Sequence, residues 1–171
     1  MGCPGLAAGV TFFRPQPQPP LLLSDLLTPD RIRVPIQAPD KPGVLRELTD
    51  LLAGREGVDA EALLAAIEER EAVLSTGIGH GIAFPHARAA GVPQLSLVCG
   101  SRPVGVPFDA VDGEPVRLFF LLIAPEHAAG QHVKALSRIA RLVRREGTRE
   151  ALLAAPTAEA FHQVLVDAEE R

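Results

Sequence analysis

The sequence predicts one α/β domain, a layer of strands covered by helices. Three observations carry this. Val116 to Ile123 is a near-continuous apolar run of strand length, the pattern of a strand buried on both faces. Val44, Leu45, Leu48, Leu51 and Leu52 recur at helical spacing ahead of it, and Leu136, Ile139 and Val143 do so behind it. Between these stripes lie two more strand-like runs, Ile82 to Phe84 and Leu95 to Gly100. Strands with helices before and after them imply an α/β sandwich.

At 171 residues the chain is long enough to bury a sizeable core in a single domain. A net charge of −4 makes nucleic acid an unexpected partner. Cys3 falls near the N-terminus and Cys99 in a strand-like run, so no structural disulfide is expected and a reducing cytoplasm is the expected compartment. The strongest apolar run, Leu118 to Ala124, is too short to cross a bilayer as a helix, so no membrane insertion is expected. Met1 to Val10 lacks the basic start of a signal peptide, and Gly2 lacks the Ser or Thr of a myristoylation signal.

Residues 1–23 read as a disordered leader, because Arg14-Pro15-Gln16-Pro17-Gln18-Pro19-Pro20 favours polyproline II and forbids helix. A proline ligand for a partner is the lesser alternative. The domain is expected over residues 24–168. Ser24 to Leu27 suits one helical turn, and Arg31 to Gln37 an edge strand interrupted by Pro35. Asp40-Lys41-Pro42-Gly43 starts a helix, with Pro42 in its first turn, and Gly54 and Gly57 end it. Asp40 to Leu45 also resembles the opening of an ACT regulatory domain, but over one strand and one helix only. Asp59 caps a second helix, whose Leu63, Leu64 and Ile67 face the core. Val104 to Phe108 reads as a short strand or extended connection, and Asp112-Gly113 as a turn. A helix starts near Gln131, with His132 in its first turn, and two short helices follow over Thr148 to Leu153 and Thr157 to Ala168. Lys134, Arg138, Arg141 and Arg145 form a basic stripe that reads as a solvated face.

The chemistry concentrates in Ser75-Thr76-Gly77-Ile78-Gly79-His80-Gly81-Ile82-Ala83-Phe84-Pro85-His86. The glycines let backbone N–H groups approach a ligand or let the chain take φ > 0. Pro85 ends or bulges the strand and presents His86 from a rigid support. An imidazole there, beside backbone donors, suits acceptance and onward transfer of a phosphoryl group. Phosphoryl transfer needs positioning and stabilisation of spread negative charge, which Arg70, Ser75 or Thr76 and the N–H groups of Gly77, Gly79 and Gly81 can supply. The run fails the dinucleotide fingerprint, since Ile82 stands where its third glycine belongs. No P-loop is present. A zinc site from His80, His86, His127 and His132 is disfavoured, because no CxxC or HExxH pattern occurs and histidines five apart on a helix do not share a face.

With Arg70-Glu71 just ahead of it, this run resembles the signature of the mannitol, fructose and nitrogen-regulatory class of IIA domains of the bacterial sugar phosphotransferase system. The likeness continues through Phe108-Asp109-Ala110, Asp112-Gly113, Pro115-Val116, Pro125 and His132 with Leu136, and covers roughly residues 24 to 168. The resemblance implies a mixed β-sheet flanked by helices on both faces. It implies that His86 is the phosphorylated histidine, by Nε2 in related domains, that His132 is the auxiliary histidine, and that Arg70 stabilises the phosphate. It implies a histidine phosphocarrier protein as donor, a IIB-type domain or a regulatory target as acceptor, and no cofactor or metal. His80, His127 and His162 receive no role. A non-enzymatic binding module switched by phosphorylation of His86 is the alternative reading.

Overall fold

The computed structural model describes residues 21–170. The chain forms α1 (Leu23–Leu26), a 3₁₀ turn (Pro29–Arg31), β1 (Ile32–Arg33), α2 (Lys41–Glu56), α3 (Ala60–Val73), β2 (Gly77–Gly79), β3 (Ile82–Ala83), β4 (His86–Arg88), β5 (Ser96–Val106), β6 (Val116–Ala124), α4 (Ala129–Val143), α5 (Glu146–Ala154) and α6 (Ala158–Glu169). The leader expected over residues 1–23 falls outside the described residues up to position 20. Its last residue, Leu23, belongs to the fold: it is buried and opens α1.

The sheet is mixed, in the order β1-β5-β6-β3-β2, and β4 also pairs with β6. The apolar run of β6 is central because both of its faces are covered. Leu118, Phe120, Leu122 and Ala124 pack against the layer of α1, α4, α5 and α6. Phe119, Leu121 and Ile123 pack against α2 and α3, which contribute Leu48, Leu52, Leu64 and Ile67. Each such buried side chain contributes about 1.5–3 kcal/mol. The open sheet with helices on both faces matches the sequence expectation.

Helix ends follow side-chain chemistry. Asp40 accepts the Gly43 N–H ahead of α2, and Asp59 accepts the N–H groups of Glu61 and Ala62 ahead of α3. Gly57, at φ 67°, closes α2 in the left-handed conformation. Gly54, expected to help end that helix, lies inside it. The expected strand over Arg31 to Gln37 is reduced to β1, at the sheet edge, with a cis Val34–Pro35 peptide after it. Val104 to Val106 continue β5 rather than forming a separate strand.

The basic stripe, which runs from α4 to the cap of α5 at Arg145, is partly engaged. Arg138 Nε donates to Glu169 Oε1 at 2.9 Å, and Arg145 Nη1 donates to the Ala168 carbonyl. Glu169 also accepts the Leu23 and Ser24 N–H groups, so one carboxylate ties α1, α4 and α6 together. Burial opposes ionisation of Glu169, but these donors outweigh it and hold its carboxyl below the ordinary value. Among the described residues, no helix is long and apolar enough to cross a membrane.

Candidate functional site

β3 and β4 run along the same side of β6, pairing in parallel with Leu118–Phe119 and with Leu122–Ala124. Phe84 and Pro85 interrupt the ladder between them, and the chain resumes pairing at His86. The imidazole therefore opens a second short strand rather than standing at a strand's end. The Pro85 carbonyl accepts the Leu122 N–H at 3.0 Å, which seats β4 at its start. Phe84 is buried, with its ring edge-on to Phe120 at 5.9 Å between centroids. That anchored residue aims its carbonyl at His86 Nδ1, 2.7 Å away. A carbonyl only accepts, so Nδ1 carries the proton and Nε2 keeps its lone pair.

The His86 ring faces His132, the fourth residue of α4, with centroids 5.2 Å apart and planes at 68°. His132 is 8% exposed, and its Nε2 is buried without a partner. Arg70 arrives from the last turn of α3, where its Nη1 donates to the Leu74 carbonyl at 3.0 Å. These side chains share a groove of about 820 Å³ walled by Ala66, Glu69, Arg70 and Val73 of α3 and by Ala129, His132, Val133 and Leu136 of α4. His86, Ala87 and Arg88 of β4, with Glu126, complete it.

Burial lowers the proton affinity of His86, and the Arg70 charge adds to this, against the opposing pull of the Phe84 carbonyl and Glu71. His132 is held down to about 4, first by burial and then by the charges of His86, Arg88 and Arg70. Both rings are therefore neutral at neutral pH. The first turn of a helix disfavours an imidazolium, which adds to this at His132. The larger cause is burial among cations.

The structure brings His86, His132 and Arg70 together. Ser75, Thr76, Gly77, Gly79 and Gly81, expected as a phosphate loop, are not among the residues that line this groove. β2 and β3 are the arms of an antiparallel hairpin turning at His80 and Gly81, which have φ of 55° and 74°. The Thr76 N–H donates to Glu71 Oε1, the Gly77 N–H to Ser75 Oγ and the His80 N–H to Asp112 Oδ2. Ser75 Oγ donates to the Phe108 carbonyl. A Cβ at Gly77 would lie 2.8 Å from Ala110 Cα, so this glycine permits close packing.

The sequence reading gave no role to Glu71, Lys41 or Arg88. Glu71 is buried and pairs with Lys41 Nζ at 2.9 Å, linking α2 to the turn before the hairpin. Burial opposes its ionisation, but the hydrogen bonds from Thr76 and Lys41 prevail and keep the carboxyl below the usual range. Glu71 stands beside Arg70 in the signature, but its buried pairing with Lys41, 30 residues earlier, is set by tertiary structure. Arg88 follows His86 by two positions, a signal that becomes readable once residues 86–88 are known to be a strand.

The family model for the phosphoenolpyruvate-dependent sugar phosphotransferase system, EIIA 2, matches residues 25–168. The chain belongs to this family. It is 40% identical over 147 residues to a nitrogen regulatory protein of Pseudomonas aeruginosa, covering 85% of this chain and 95% of that one. It is 37% identical over 145 residues to a fructose-specific EIIABC component of Bacillus subtilis, covering 84% of this chain but only 23% of that longer protein. Among solved structures, nitrogen regulatory protein IIA-Ntr from Neisseria meningitidis superposes with a TM-score of 0.79 at 32% identity, covering 84% of this chain and 98% of that one. This IIA domain is thus a phosphotransfer component by family, with likeness to both sugar-specific and nitrogen-regulatory members.

Proposed function

We propose that this IIA domain accepts a phosphoryl group on Nε2 of His86 from a histidine phosphocarrier protein in the cytoplasm. It then passes the group to a IIB-type acceptor. The observation that carries this reading is the Phe84 carbonyl at Nδ1, which leaves the Nε2 lone pair free beside His132 and Arg70. In the transfer, that lone pair forms the new N–P bond while the donor's N–P bond breaks and its electron pair returns to the donor imidazole. The positive charge created on His86 sits at Nδ1–H, already donating to Phe84. The donor's phosphoimidazolium leaves as a neutral ring, so no proton changes hands. Arg70 pairs with the dianion, and His132 donates an N–H to it from a ring kept neutral. Val73 and Val133, exposed by 79% and 63%, offer apolar contact to a partner at the groove walls.

Incubation with a phosphoenolpyruvate-driven phosphorelay tests this. Wild type should gain acid-labile, base-stable phosphate, and His86→Ala should fold and gain none. Undiminished labelling of that variant would sink the assignment.

A regulatory use of the same phosphate is favoured by the 40% identity to a nitrogen regulatory protein along 95% of its length. A regulator must bind its target far better in one phosphorylation state, by about 10⁴-fold for near-complete switching. Affinity capture with phosphorylated and unphosphorylated protein should then recover a protein outside the relay in one state only. Recovery of relay proteins alone, equally in both states, would leave the carrier.

A further inference from the structure

We propose that Arg88 is a catalytic residue of this transfer, the second cation to contact the phosphoryl group as it arrives on His86. This rests on the reading of His86 as the acceptor.

Placement comes first. The register His86↔Leu122, Ala87↔Ile123, Arg88↔Ala124 fixes β4, with the Leu122 N–H on the Pro85 carbonyl before it and the Ala89 N–H on the Ala124 carbonyl after it. Strand alternation puts the side chains of His86 and Arg88 on one face. Both line the same groove as Arg70 and His132. Arg70 enters from α3 and Arg88 from β4, so two guanidinium groups reach the groove from different elements.

Availability comes second. The two arginines that line the groove, Arg70 and Arg88, differ in how they are engaged. Arg70 is held by Leu74. Among the described residues the exposed side chain of Arg88 has no hydrogen bond or ion pair, although Glu69 and Glu126 line the groove with it. Its charge acts on His132, one of the causes that hold that ring neutral.

The chemistry matches. A transferring phosphoryl group spreads its charge over three equatorial oxygens. The His132 N–H and one guanidinium already tethered to a carbonyl leave part of that charge uncovered. A planar, untethered guanidinium can take two oxygens at once.

The test is single-turnover transfer from a phosphate-charged histidine phosphocarrier protein to the full chain, as wild type, Arg88→Ala, Arg88→Lys and His86→Ala. The rate at saturating donor should fall about 10²-fold in Arg88→Ala and recover partly in Arg88→Lys. The His132 titration of unphosphorylated Arg88→Ala, followed by NMR, should move up. A change confined to the half-saturating donor concentration would make Arg88 a partner-docking residue and overturn the proposal, as would an unchanged rate. An unlabelled wild type, or a labelled His86→Ala, would overturn the acceptor reading and this inference with it. A labelled wild type and inert His86→Ala beside a fully active Arg88→Ala would overturn the inference alone.

Discussion

The groove around His86 and the glycine hairpin just before it differ in how they use their polar groups. In the hairpin, three backbone donors are satisfied internally, the Thr76 N–H by Glu71, the Gly77 N–H by Ser75 and the His80 N–H by Asp112, while Thr76 Oγ1 is buried without a partner. In the groove, His132 Nε2 is buried and unpartnered. Buried polar atoms normally have partners, and this orphan belongs to a ring that lines the same groove as His86. One continuous stretch of sequence thus divides into a scaffold and a site. The scaffold's glycines shape a turn and admit Ala110, while the site depends on one backbone carbonyl and on side chains from three elements.

The largest effect that would sharpen this contrast is on rate. His132→Gln and Arg70→Ala should each slow phosphoryl transfer to His86 by about 10²–10³-fold, the usual cost of losing one stabilising donor. Stopped-flow or quench-flow transfer from a charged donor measures it. Transfer at the parent rate in both would return the two residues to packing and surface charge.

A smaller effect tests the hairpin. Gly77→Ala forces a Cβ to within 2.8 Å of Ala110 Cα and 2.9 Å of its Cβ. Overpacking of this kind costs about 1–3 kcal/mol. Denaturant unfolding should show that loss, while the transfer rate of the folded fraction stays at the parent value. A slowed transfer with unaltered stability would break the comparison and make the hairpin part of the site.

Much of this was legible beforehand, for physical reasons. β6 was readable because a strand covered on both faces must be apolar throughout, and α2 because Asp40, Pro42 and Gly57 mark its ends chemically. His86, His132 and Arg70 were legible through a family signature, since nothing in local spacing brings position 132 to position 86. A glycine run reads as permissive backbone, which is not the same as available backbone. Whether an N–H is free depends on tertiary partners such as Asp112, which lies 32 residues from the His80 it binds. The strand at His86–Arg88 was hidden because its pairing is with β6, far along the chain, and Pro85 reads locally as an end.

The smallest effect separates the two regions by pH. The His132 ring is held down to about 4, against an ordinary value of about 6.5. As pH falls below about 6.5, the unfolded chain takes up a proton at this position while the native ring does not. The unfolded state therefore binds more protons across that window, and stability falls with pH. The slope approaches about 1.4 kcal/mol per pH unit, or about 1 kcal/mol between pH 7 and pH 5.5. Lowered His86 adds in the same direction. Glu71 and Glu169, whose carboxyls are held below their ordinary values, likewise lose their contribution as pH falls, in wild type and variants alike. Arg70, Arg88, Glu69 and Glu126 line the groove with this ring, from α3, β4 and the loop before α4. Unfolding midpoints of wild type and His132→Gln should therefore converge as pH falls, because only wild type carries the penalty. Gly77→Ala, which removes no titrating group, should keep a constant offset from wild type. A constant offset for His132→Gln as well would show that its ring titrates alike in the folded and unfolded chain, and the contrast between hairpin and groove would lose its electrostatic half.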